Sequence, residues 1–264
     1  MTRRRLDSEL VRRGLVSSRT EAQEAVVAGL VRIGGRVATK SSTLVADDEA
    51  LDLTRAARRY VSRGGEKLGA ALERFGLDPR GLDCLDVGAS TGGFTDRLLQ
   101  GGARHVVAVD VGYGQLAWSL RADERVTVLE RTNARDLSID LLPYRPALVV
   151  VDVSFISLRT VLPALASVSA AGADAVFLVK PQFEAGRAEV GRGGVVRDPE
   201  VWSRVISSVL RAASEAGFAP QGLMPSPVRG PAGNVEFLVW SRRDTAPGEL
   251  DVAAAVAEAT EAAA

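Results

Sequence analysis

The fold of this chain is decided by the stretch Asp86-Val87-Gly88-Ala89-Ser90-Thr91-Gly92-Gly93-Phe94. Residues 82–87 predict a short buried strand, and residues 95–100 predict a helix directly after the turn. Three glycines at such a junction let the backbone turn tightly and approach a ligand that a Cβ atom would exclude. The pattern is typical of a cofactor site in an α/β protein, although a plain structural turn can have the same composition.

The acid at the end of this strand indicates which cofactor fits. The glycine spacing is not the GxGxxG of dinucleotide sites, and Asp86 favours a cofactor with an amino-acid cation over one with phosphates. S-adenosylmethionine fits, because its α-ammonium pairs with a carboxylate and its carboxylate accepts backbone N–H groups. We therefore predict this cofactor. The residues of the turn assigned to it are Asp86, Gly88, Ala89, Ser90, Thr91, Gly92 and Phe94.

A second parallel strand is predicted over residues 105–109 and ends in Asp110. Asp110 stands about 24 positions after Asp86, roughly the sequence offset at which an acid accepts cofactor ribose hydroxyls. It is therefore the predicted ribose ligand. A helix cap is the competing interpretation. Val111 is assigned to the same site. Tyr113 is predicted either to cover the adenosine or to lie in the core. Asn133 is predicted to meet adenine N6 with its amide oxygen.

Charged residues stand at the ends of four other predicted elements. Two follow the apolar strands 147–151 and 176–179, at the carboxyl ends where open α/β sheets place their sites. A third precedes a late strand, and a fourth follows a Gly-Gly turn and opens a helix. In this order the residues are Asp152, Lys180, Glu236 and Lys67. They predict a cluster that faces the pocket, although paired charges supporting a cleft would leave the same pattern.

The N-terminal segment is basic although the whole chain has a net charge of zero. Its first 65 residues hold 13 Lys/Arg against 8 Asp/Glu. Two short helices are predicted, the second opened by the capping box of Ser18 and Glu21, and a Gly-Gly pair at 34–35 predicts a hairpin. Such a unit offers guanidinium groups to phosphates. We predict that it binds RNA through Arg5, Arg19 and Lys40, the alternative being a solvated basic surface.

Length and composition predict a globular protein of one large or two unequal domains, in which 46% of the residues are hydrophobic. No apolar run approaches the roughly 20 residues of a membrane span, and the first residues lack a signal-type apolar core. We expect a cytoplasmic protein with no membrane partner. The single Cys84 and the single His105 argue against a structural zinc site, so we expect no metal. We also expect a monomer.

Residues 5–45 resemble an S4 RNA-binding domain, in Arg5-Leu6-Asp7, Ser18-Arg19-Thr20-Glu21-Ala22 and Gly29-Leu30-Val31-Arg32-Ile33-Gly34-Gly35. The remainder resembles an FtsJ-type methyltransferase, in residues 89–95 and 110–116 and in Leu178-Val179-Lys180-Pro181-Gln182-Phe183-Glu184. This pairing is similar to the TlyA family of hemolysin-like ribosomal RNA 2'-O-methyltransferases. It implies an α/β chain: a Rossmann-like S-adenosylmethionine methyltransferase domain with a mostly parallel sheet, preceded by a small α+β S4 domain.

The resemblance also implies a division of the chain. We expect an S4 domain at 1–57, a linker at 58–63, a methyltransferase domain at 64–246 and a C-terminal helix or tail at 247–264. Within the linker, Arg58-Arg59-Tyr60-Val61 replaces an Arg-Ala-Trp-Val type sequence of the family.

The resemblance carries the catalytic tetrad of FtsJ-type enzymes onto Lys67, Asp152, Lys180 and Glu236, with no departure in residue type. Methyl transfer to a ribose 2'-OH needs an aligned oxygen and the removal of its proton, and Lys180 is the candidate base. No metal is required, because the leaving group is already a cation. Arg135, beside the cofactor site, is predicted to extend the RNA path; it could equally be a solvated arginine.

The family implies methylation of cytidine ribose in 16S rRNA, 23S rRNA or both, on 30S or 50S subunits. Two alternatives stay open. A non-catalytic RNA-binding ribosome assembly factor would keep the fold without methyl transfer, and the intact tetrad argues against it. A membrane-lysing hemolysin, which the family's nickname suggests, would need a membrane span or a strongly basic amphipathic helix, and the sequence contains neither pattern.

Overall fold

The computed structural model describes residues 3–16, 18–27, 29–54 and 59–262. Contacts divide the chain into two compact units, Met1–Arg59 and Tyr60–Ala264. Residues 55–58, which include the first residue of the predicted linker, lie outside the described residues. Within the described parts of the chain, no helix is both long and apolar enough to cross a membrane.

The first unit is a small α+β structure. Its elements are β1 (Arg3–Arg5), α1 (Leu6–Arg12), α2 (Arg19–Val27), β2 (Val31–Ile33), β3 (Arg36–Val37), β4 (Leu44–Ala46) and β5 (Leu51–Leu53). Strand β2 lies between β3 and β5 in one antiparallel sheet, and β1 pairs with β4 in another. A core that includes Leu6, Leu10 and Val31 fills the space between the helices and the strands.

Two local predictions for this unit are confirmed. Ser18 Oγ accepts a hydrogen bond of 3.1 Å from Glu21 N and so caps α2. Gly34 and Gly35 have φ angles of +53° and +81°, which the tight β2–β3 hairpin requires and which glycine adopts without a Cβ penalty.

The second unit alternates helices and strands. They are α3 (Gly64–Phe75), β6 (Asp83–Val87), α4 (Gly93–Gln100), β7 (His105–Val109), α5 (Trp118–Arg121), β8 (Val126–Leu129), β9 (Leu148–Val151), α6 (Leu158–Val168), β10 (Asp174–Val179), α7 (Pro181–Glu184), α8 (Pro199–Glu215), β11 (Phe218–Pro225), β12 (Phe237–Arg243) and α9 (Val252–Glu261). Short 3₁₀ helices lie at Ala134–Asp136, Ile139–Leu141 and Arg187–Glu189.

Seven strands form one sheet in the order β11-β12-β10-β9-β6-β7-β8. Strands β10, β9, β6, β7 and β8 run parallel, while β12 is antiparallel to β10 and β11 to β12. The predicted mostly parallel, Rossmann-like sheet is therefore confirmed. The chain order reverses between β6 and β9, and such a switch point leaves a crevice at the carboxyl ends of the two strands.

Both faces of this sheet are covered, which explains the continuous apolar runs of its strands. Because strand side chains alternate, Cys84 packs in the layer formed with α3 and α4, and Leu85 packs in the layer formed with α6 and α8. The deep burial of the Cys84 thiol raises its pKa to about 12, so it stays protonated and packs as a small apolar group.

The second unit begins at Tyr60, inside the segment predicted as a linker. Tyr60 is buried, and its ring lies so close to Gly65 that a Cβ there would be 2.2 Å from Tyr60 Cγ. Val61 N donates a hydrogen bond of 2.8 Å to Asp96 Oδ2 on α4. These contacts fix residues 60 and 61 on α3 and α4, the helices before and after the glycine-rich turn.

Candidate functional site

Two cavities lie at the carboxyl edge of the sheet, where β6 and β9 end. The first has a volume of about 280 Å³ and the second of about 630 Å³. Their walls share four residues, Gly88, Ser90, Asp152 and Ser154. The cavities are therefore neighbours that meet at the ends of the two central strands.

Gly88 sets how closely those strand ends approach each other. Its φ is +86°, and a Cβ at this position would lie 2.4 Å from the backbone oxygen of Asp152. No side chain fits at that distance. The end of the neighbouring strand therefore requires glycine at this position, whether or not a ligand also approaches it.

Lys180 brings its amine to this meeting point. Its Nζ donates a hydrogen bond of 2.7 Å to Ser154 Oγ and lies 2.6 Å from Asp152 Oδ1 as an ion pair. The serine accepts a hydrogen bond from the amine, and the aspartate adds the compensating charge at ion-pair distance. Both lysine and aspartate line the first cavity.

Lys67 and Glu236 form a second pair in the wall of the same cavity. Lys67 lies in the first turn of α3, and its Nζ donates a hydrogen bond of 2.5 Å to Glu236 Oε2. Both side chains are buried. Gly230 lies against this pair, because a Cβ there would be 2.7 Å from Glu236 Oε1. The structure thus brings all four predicted charges to one cavity, as two ion pairs.

Glu184 ties together the loops that follow β9 and β10. Its carboxylate accepts a hydrogen bond of 2.5 Å from Ser157 Oγ and one of 2.6 Å from Leu158 N, at the start of α6. Burial raises the pKa of this carboxyl above its usual range. The loop that carries Asp152 and the loop that carries Lys180 are consequently held together.

Asp110 lies in the wall of the second cavity, at the end of β7. Its Oδ2 accepts a hydrogen bond of 2.8 Å from Ser90 N, and its Oδ1 accepts one of 2.7 Å from Gly112 N. The carboxylate is thereby held in one orientation beside the glycine-rich turn. Val111 follows it, is exposed and lines the same cavity.

Asn133 also lines the second cavity, but its amide oxygen has another use. Asn133 Oδ1 accepts hydrogen bonds from Arg135 N, at 3.1 Å, and from Arg135 Nε, at 3.3 Å. The side chain therefore caps the short helix at Ala134–Asp136. The contact of this oxygen with adenine N6 stays a prediction; in this structure Arg135 engages the oxygen. Arg135 itself lines the cavity.

Asp86 departs from its predicted position. It is fully buried beneath the turn, and its Oδ2 accepts hydrogen bonds from Thr95 N, at 2.9 Å, and from Thr95 Oγ1, at 2.6 Å. Its Oδ1 is buried with no hydrogen-bond partner in the described parts of the chain. Burial raises its pKa to about 7. In this structure the carboxylate braces the start of α4 instead of facing either cavity.

Some of the other predicted cofactor residues line a cavity, and the others pack behind it or lie on the surface. Ala89, Ser90, Thr91 and Phe94 line the first cavity. Gly92 packs against α5, because a Cβ there would lie 2.2 Å from Leu120 Cδ1. Tyr113 lies on the surface, outside the core, and its ring carries the Arg131 guanidinium at 4.4 Å from the ring centre.

Sequence reasoning missed two residues that lie two and three positions after Asp152. Ser154 belongs to both cavity walls, and Phe155 lines the second. Phe155 is 90% exposed and has a φ of +63°, a strained conformation for an aromatic residue. Its ring lies 5.0 Å from that of Phe183. The signal was present in the sequence, since a polar and an aromatic residue stand within four positions of the end of an apolar strand, at the edge where sites form.

The basic residues predicted to bind RNA lie in different surroundings. Arg5 and Arg19 both contact the carboxylate of Asp7, whereas Lys40 is exposed in the loop after β3. Arg13, another basic residue of this unit, donates to the backbone oxygens of Ala46, Asp47 and Glu49, at 3.0, 3.0 and 2.8 Å. It therefore stabilises the fold of this unit.

Comparisons with known proteins agree with this architecture. Residues 60–243 match the model of the FtsJ-like methyltransferases, and residues 4–50 match the S4 domain. The chain is 56% identical over 244 residues to the "16S/23S rRNA (cytidine-2'-O)-methyltransferase TlyA" of Mycobacterium tuberculosis, which covers 92% of this chain and 91% of that protein. It is 38% identical to "Hemolysin A" of Brachyspira hyodysenteriae, over 89% of this chain and 98% of that protein.

A solved structure described as "Putative hemolysin from Streptococcus thermophilus" superimposes with a TM-score of 0.80 at 41% identity. The match covers 99% of this chain and 97% of that one. A family model that spans most of the second unit and a relative that is similar over nearly the full length lead to the same assignment. The chain belongs to the FtsJ-like methyltransferase family, in its TlyA group, and carries an N-terminal S4 domain.

Proposed function

We propose that the protein transfers a methyl group from S-adenosylmethionine to the 2'-oxygen of a cytidine ribose in ribosomal RNA. The observation that carries this proposal is the position of Lys180 Nζ, held by Ser154 and Asp152 where the two cavities share their walls. One cavity suits a nucleoside-sized ligand, and the other places amines and carboxylates beside it. The similarity to the rRNA (cytidine-2'-O)-methyltransferase of M. tuberculosis supplies the substrate class.

The volume of the second cavity, about 630 Å³, and its donor set support S-adenosylmethionine as its ligand. Asp110 offers an oriented carboxylate to ribose hydroxyls, and Val111 and Ile156 offer apolar surface to a flat base. Ser90 and Asn133 add polar groups at its edge. When bound, the cofactor supplies an electrophilic methyl carbon on a sulfonium centre. The shared wall at Gly88 is where that carbon and a ribose oxygen would have to meet.

Lys180 has the position of a base. A ribose hydroxyl that enters the first cavity needs an acceptor for its proton as the new carbon–oxygen bond forms, and a positioned base typically contributes about 10²–10⁴-fold in rate. Ser154 and Asp152 hold the amine for this transfer. Their contacts also limit the number of orientations that the long side chain samples, which favours one productive geometry.

The choice of lysine supports proton chemistry over simple charge. Of the 33 lysines and arginines in the chain, only three are lysines, and two of these, Lys67 and Lys180, line the first cavity. A guanidinium would supply the same positive charge but stays protonated at any ordinary pH, whereas an amine can release and accept a proton.

Lys67 and Glu236 are proposed to hold the hydroxyl in place. The glutamate compensates the buried lysine, so the pair adds donors and acceptors to the cavity without adding net charge. Phe155, at the edge of the second cavity, offers an exposed ring on which a nucleobase could stack. The S4 domain is proposed to bind the RNA, with Arg5, Arg19 and Lys40 as contacts and Arg135 on the second unit.

The test is methyl transfer from tritiated S-adenosylmethionine to separately purified 30S and 50S particles that lack the modification. Wild type should label a cytidine 2'-oxygen on at least one particle. Lys180→Arg, which keeps the charge but cannot act as a base, should lose at least about a hundredfold in rate. Arg80→Ala, at an exposed arginine before β6, is the matched control and should label as wild type does. Absence of label on both particles would contradict the proposal and favour a non-catalytic assembly factor.

A further inference from the structure

Asp7 is a buried carboxylate that two arginines of the first unit share. Arg5 donates to it through Nη2, at 2.8 Å from Oδ2, and through Nε, at 3.1 Å from Oδ1. Arg19 donates through Nη2, at 3.1 Å from the same Oδ2. Ser8 N, Ser8 Oγ and Gln23 Nε2 also donate to the carboxylate, at 2.8, 3.3 and 3.3 Å. The hydrogen bond from Arg5 is the largest of the effects that hold the pKa of Asp7 far below its usual range.

This arrangement holds two like charges side by side. The Arg5 and Arg19 guanidinium groups both reach one oxygen atom, although they belong to the residues before α1 and at the start of α2. Their side chains remain 45% and 58% exposed, while the side chain of Asp7 has no exposed surface. An anion that approaches therefore meets guanidinium groups and not the carboxylate. The three residues together keep one positive charge, which a single phosphodiester would neutralise.

A second buried carboxylate of the same unit has different surroundings. Glu9 pairs with Arg12 and Arg13, at 2.6 and 2.7 Å, on the same helix. Arg13 is also engaged by three backbone oxygens, and Asp47 adds another carboxylate near Arg12. The Glu9 cluster thus fastens α1 to the loop before β5. The Asp7 cluster lacks such backbone ties among the contacts of the described residues.

We propose that Asp7 is a positioning residue that presents Arg5 and Arg19 as a paired site for one phosphodiester of RNA. The inference rests on the proposed RNA substrate and adds to it the residue that arranges the contact. Arginine binds phosphate oxygens through its planar fork, so the orientation of the two forks determines how well the phosphate is held.

Asp7→Asn provides a test in which the sign of the effect is decisive. The change removes a negative charge and keeps the shape of the side chain. If RNA binding depended only on the charge of this unit, the variant would bind more tightly and with a steeper salt dependence. Loss of positioning predicts the reverse, namely binding weaker by roughly five- to tenfold and a salt slope smaller by about 0.7–0.9, as expected for one lost phosphate contact.

The measurement is equilibrium binding of the full-length fluorescently labelled chain to 30S and to 50S particles, at several salt concentrations. Asp47→Asn is the matched control, because it removes the same charge from an exposed residue of the same unit, and it should bind as tightly as wild type or more tightly. Arg5→Lys and Arg19→Lys keep the charge but lose the fork, so each should also weaken binding. They test the same site if Asp7→Asn disturbs folding. Arg80→Lys is the control for the arginine-to-lysine change.

The outcomes separate the inference from the proposed function. Wild type that binds neither particle would contradict the RNA substrate itself. Wild type that binds, together with folded Asp7→Asn and Arg-to-Lys variants that bind as tightly as it does, would overturn the role of Asp7 and leave the proposed function in place. Weaker binding by Asp7→Asn but not by Asp47→Asn would support the paired site.

Discussion

The Nζ of Lys180 lies 2.7 Å from Ser154 Oγ and donates a hydrogen bond to it. Ser154 follows β9 and Lys180 follows β10, so the bond links the ends of two neighbouring parallel strands. The contact places the amine at the wall that both cavities share. The effect of this contact on the rate of catalysis can be measured separately from its effect on RNA binding.

Ser154→Ala is expected to lower kcat by about ten- to a hundredfold, the effect of losing a hydrogen bond to a charged group. The KM values for the ribosomal particle and for S-adenosylmethionine should change little, because the serine acts on the amine and not on either ligand. Ser154→Thr keeps the hydroxyl and should recover much of the rate. Steady-state kinetics on 30S and 50S particles check this. A rise in KM with an unchanged kcat would show that the serine holds a substrate instead.

The Lys67–Glu236 pair is expected to contribute to both stability and activity. Glu236→Gln leaves a buried ammonium without its counter-charge, which typically costs about 3–5 kcal/mol. In a unit of this size, this corresponds to a fall in Tm of about 6–20 °C. The double variant Lys67→Met/Glu236→Met removes both charges and should recover most of the stability.

A methyl-transfer assay separates the role of the Lys67–Glu236 pair in catalysis from its role in stability. The double variant should stay inactive although it is folded, because the cavity has lost its donors and acceptors. Thermal melts and transfer assays on both variants make the comparison. Full activity in the double variant would assign the pair to structure alone.

Phe155 is expected to serve substrate binding at a cost in stability. Its positive φ is strained for a non-glycine residue, so Phe155→Gly should raise the unfolding free energy by about 1 kcal/mol. The same change removes the exposed ring and should raise the KM for the ribosomal particle about tenfold, in the range measured for base stacking on aromatic side chains. Phe155→Tyr keeps the ring and should behave as wild type. Unchanged kinetics in Phe155→Gly would contradict the stacking role.

Asp86 is expected to make the second unit less stable as pH rises. Its pKa is raised from 3.8 to about 7 by burial, so the folded state binds a proton that the unfolded state releases. Between about pH 4 and pH 7 the unfolding free energy should therefore fall with increasing pH, by at most about 1.4 kcal/mol per unit. Asp86→Asn should reduce this dependence, and the smaller part that remains is expected from Glu184, whose pKa burial also raises. The three tryptophans, Trp118, Trp202 and Trp240, all lie in the second unit, so their fluorescence reports its unfolding.

The first unit should respond to pH in the opposite direction. Arginine contacts lower the pKa values of Asp7 and Glu9, so the stability that these carboxylates contribute is present above pH 4.5 and lost as pH falls toward their folded values. Far-UV circular dichroism of the whole chain, compared with tryptophan fluorescence, distinguishes the two units. A first unit that resists pH 2 as well as it resists pH 7 would contradict this expectation.

Local features of the fold were predictable from the sequence because they depend on neighbouring residues. Apolar runs marked the strands on both sides of the glycine-rich turn, and β6, β7 and β9 lie within a residue of those predictions. The cap at Ser18 and the hairpin at Gly34-Gly35 also follow from local backbone chemistry. A small set of charges at strand ends marked the candidate site for the same reason.

The partners of those charges were not predictable in this way. Lys67 pairs with a glutamate 169 residues further along the chain. The Asp86 carboxylate accepts hydrogen bonds from the start of α4, and Ser154 accepts the hydrogen bond that Lys180 donates. Each contact depends on which side chains the strand order brings within about 3 Å, and no sequence period encodes that distance.

The sequence by itself therefore determined the two folds, the edge of the sheet at which the site forms and the residue types available there, because backbone preference and apolar periodicity act over a few residues. The tertiary structure alone decided which charges pair, which carboxylate is buried and which arginines share Asp7. Those outcomes depend on packing, which brings distant residues together and removes water from between them, and there a difference of one ångström decides whether a group is a partner or a neighbour.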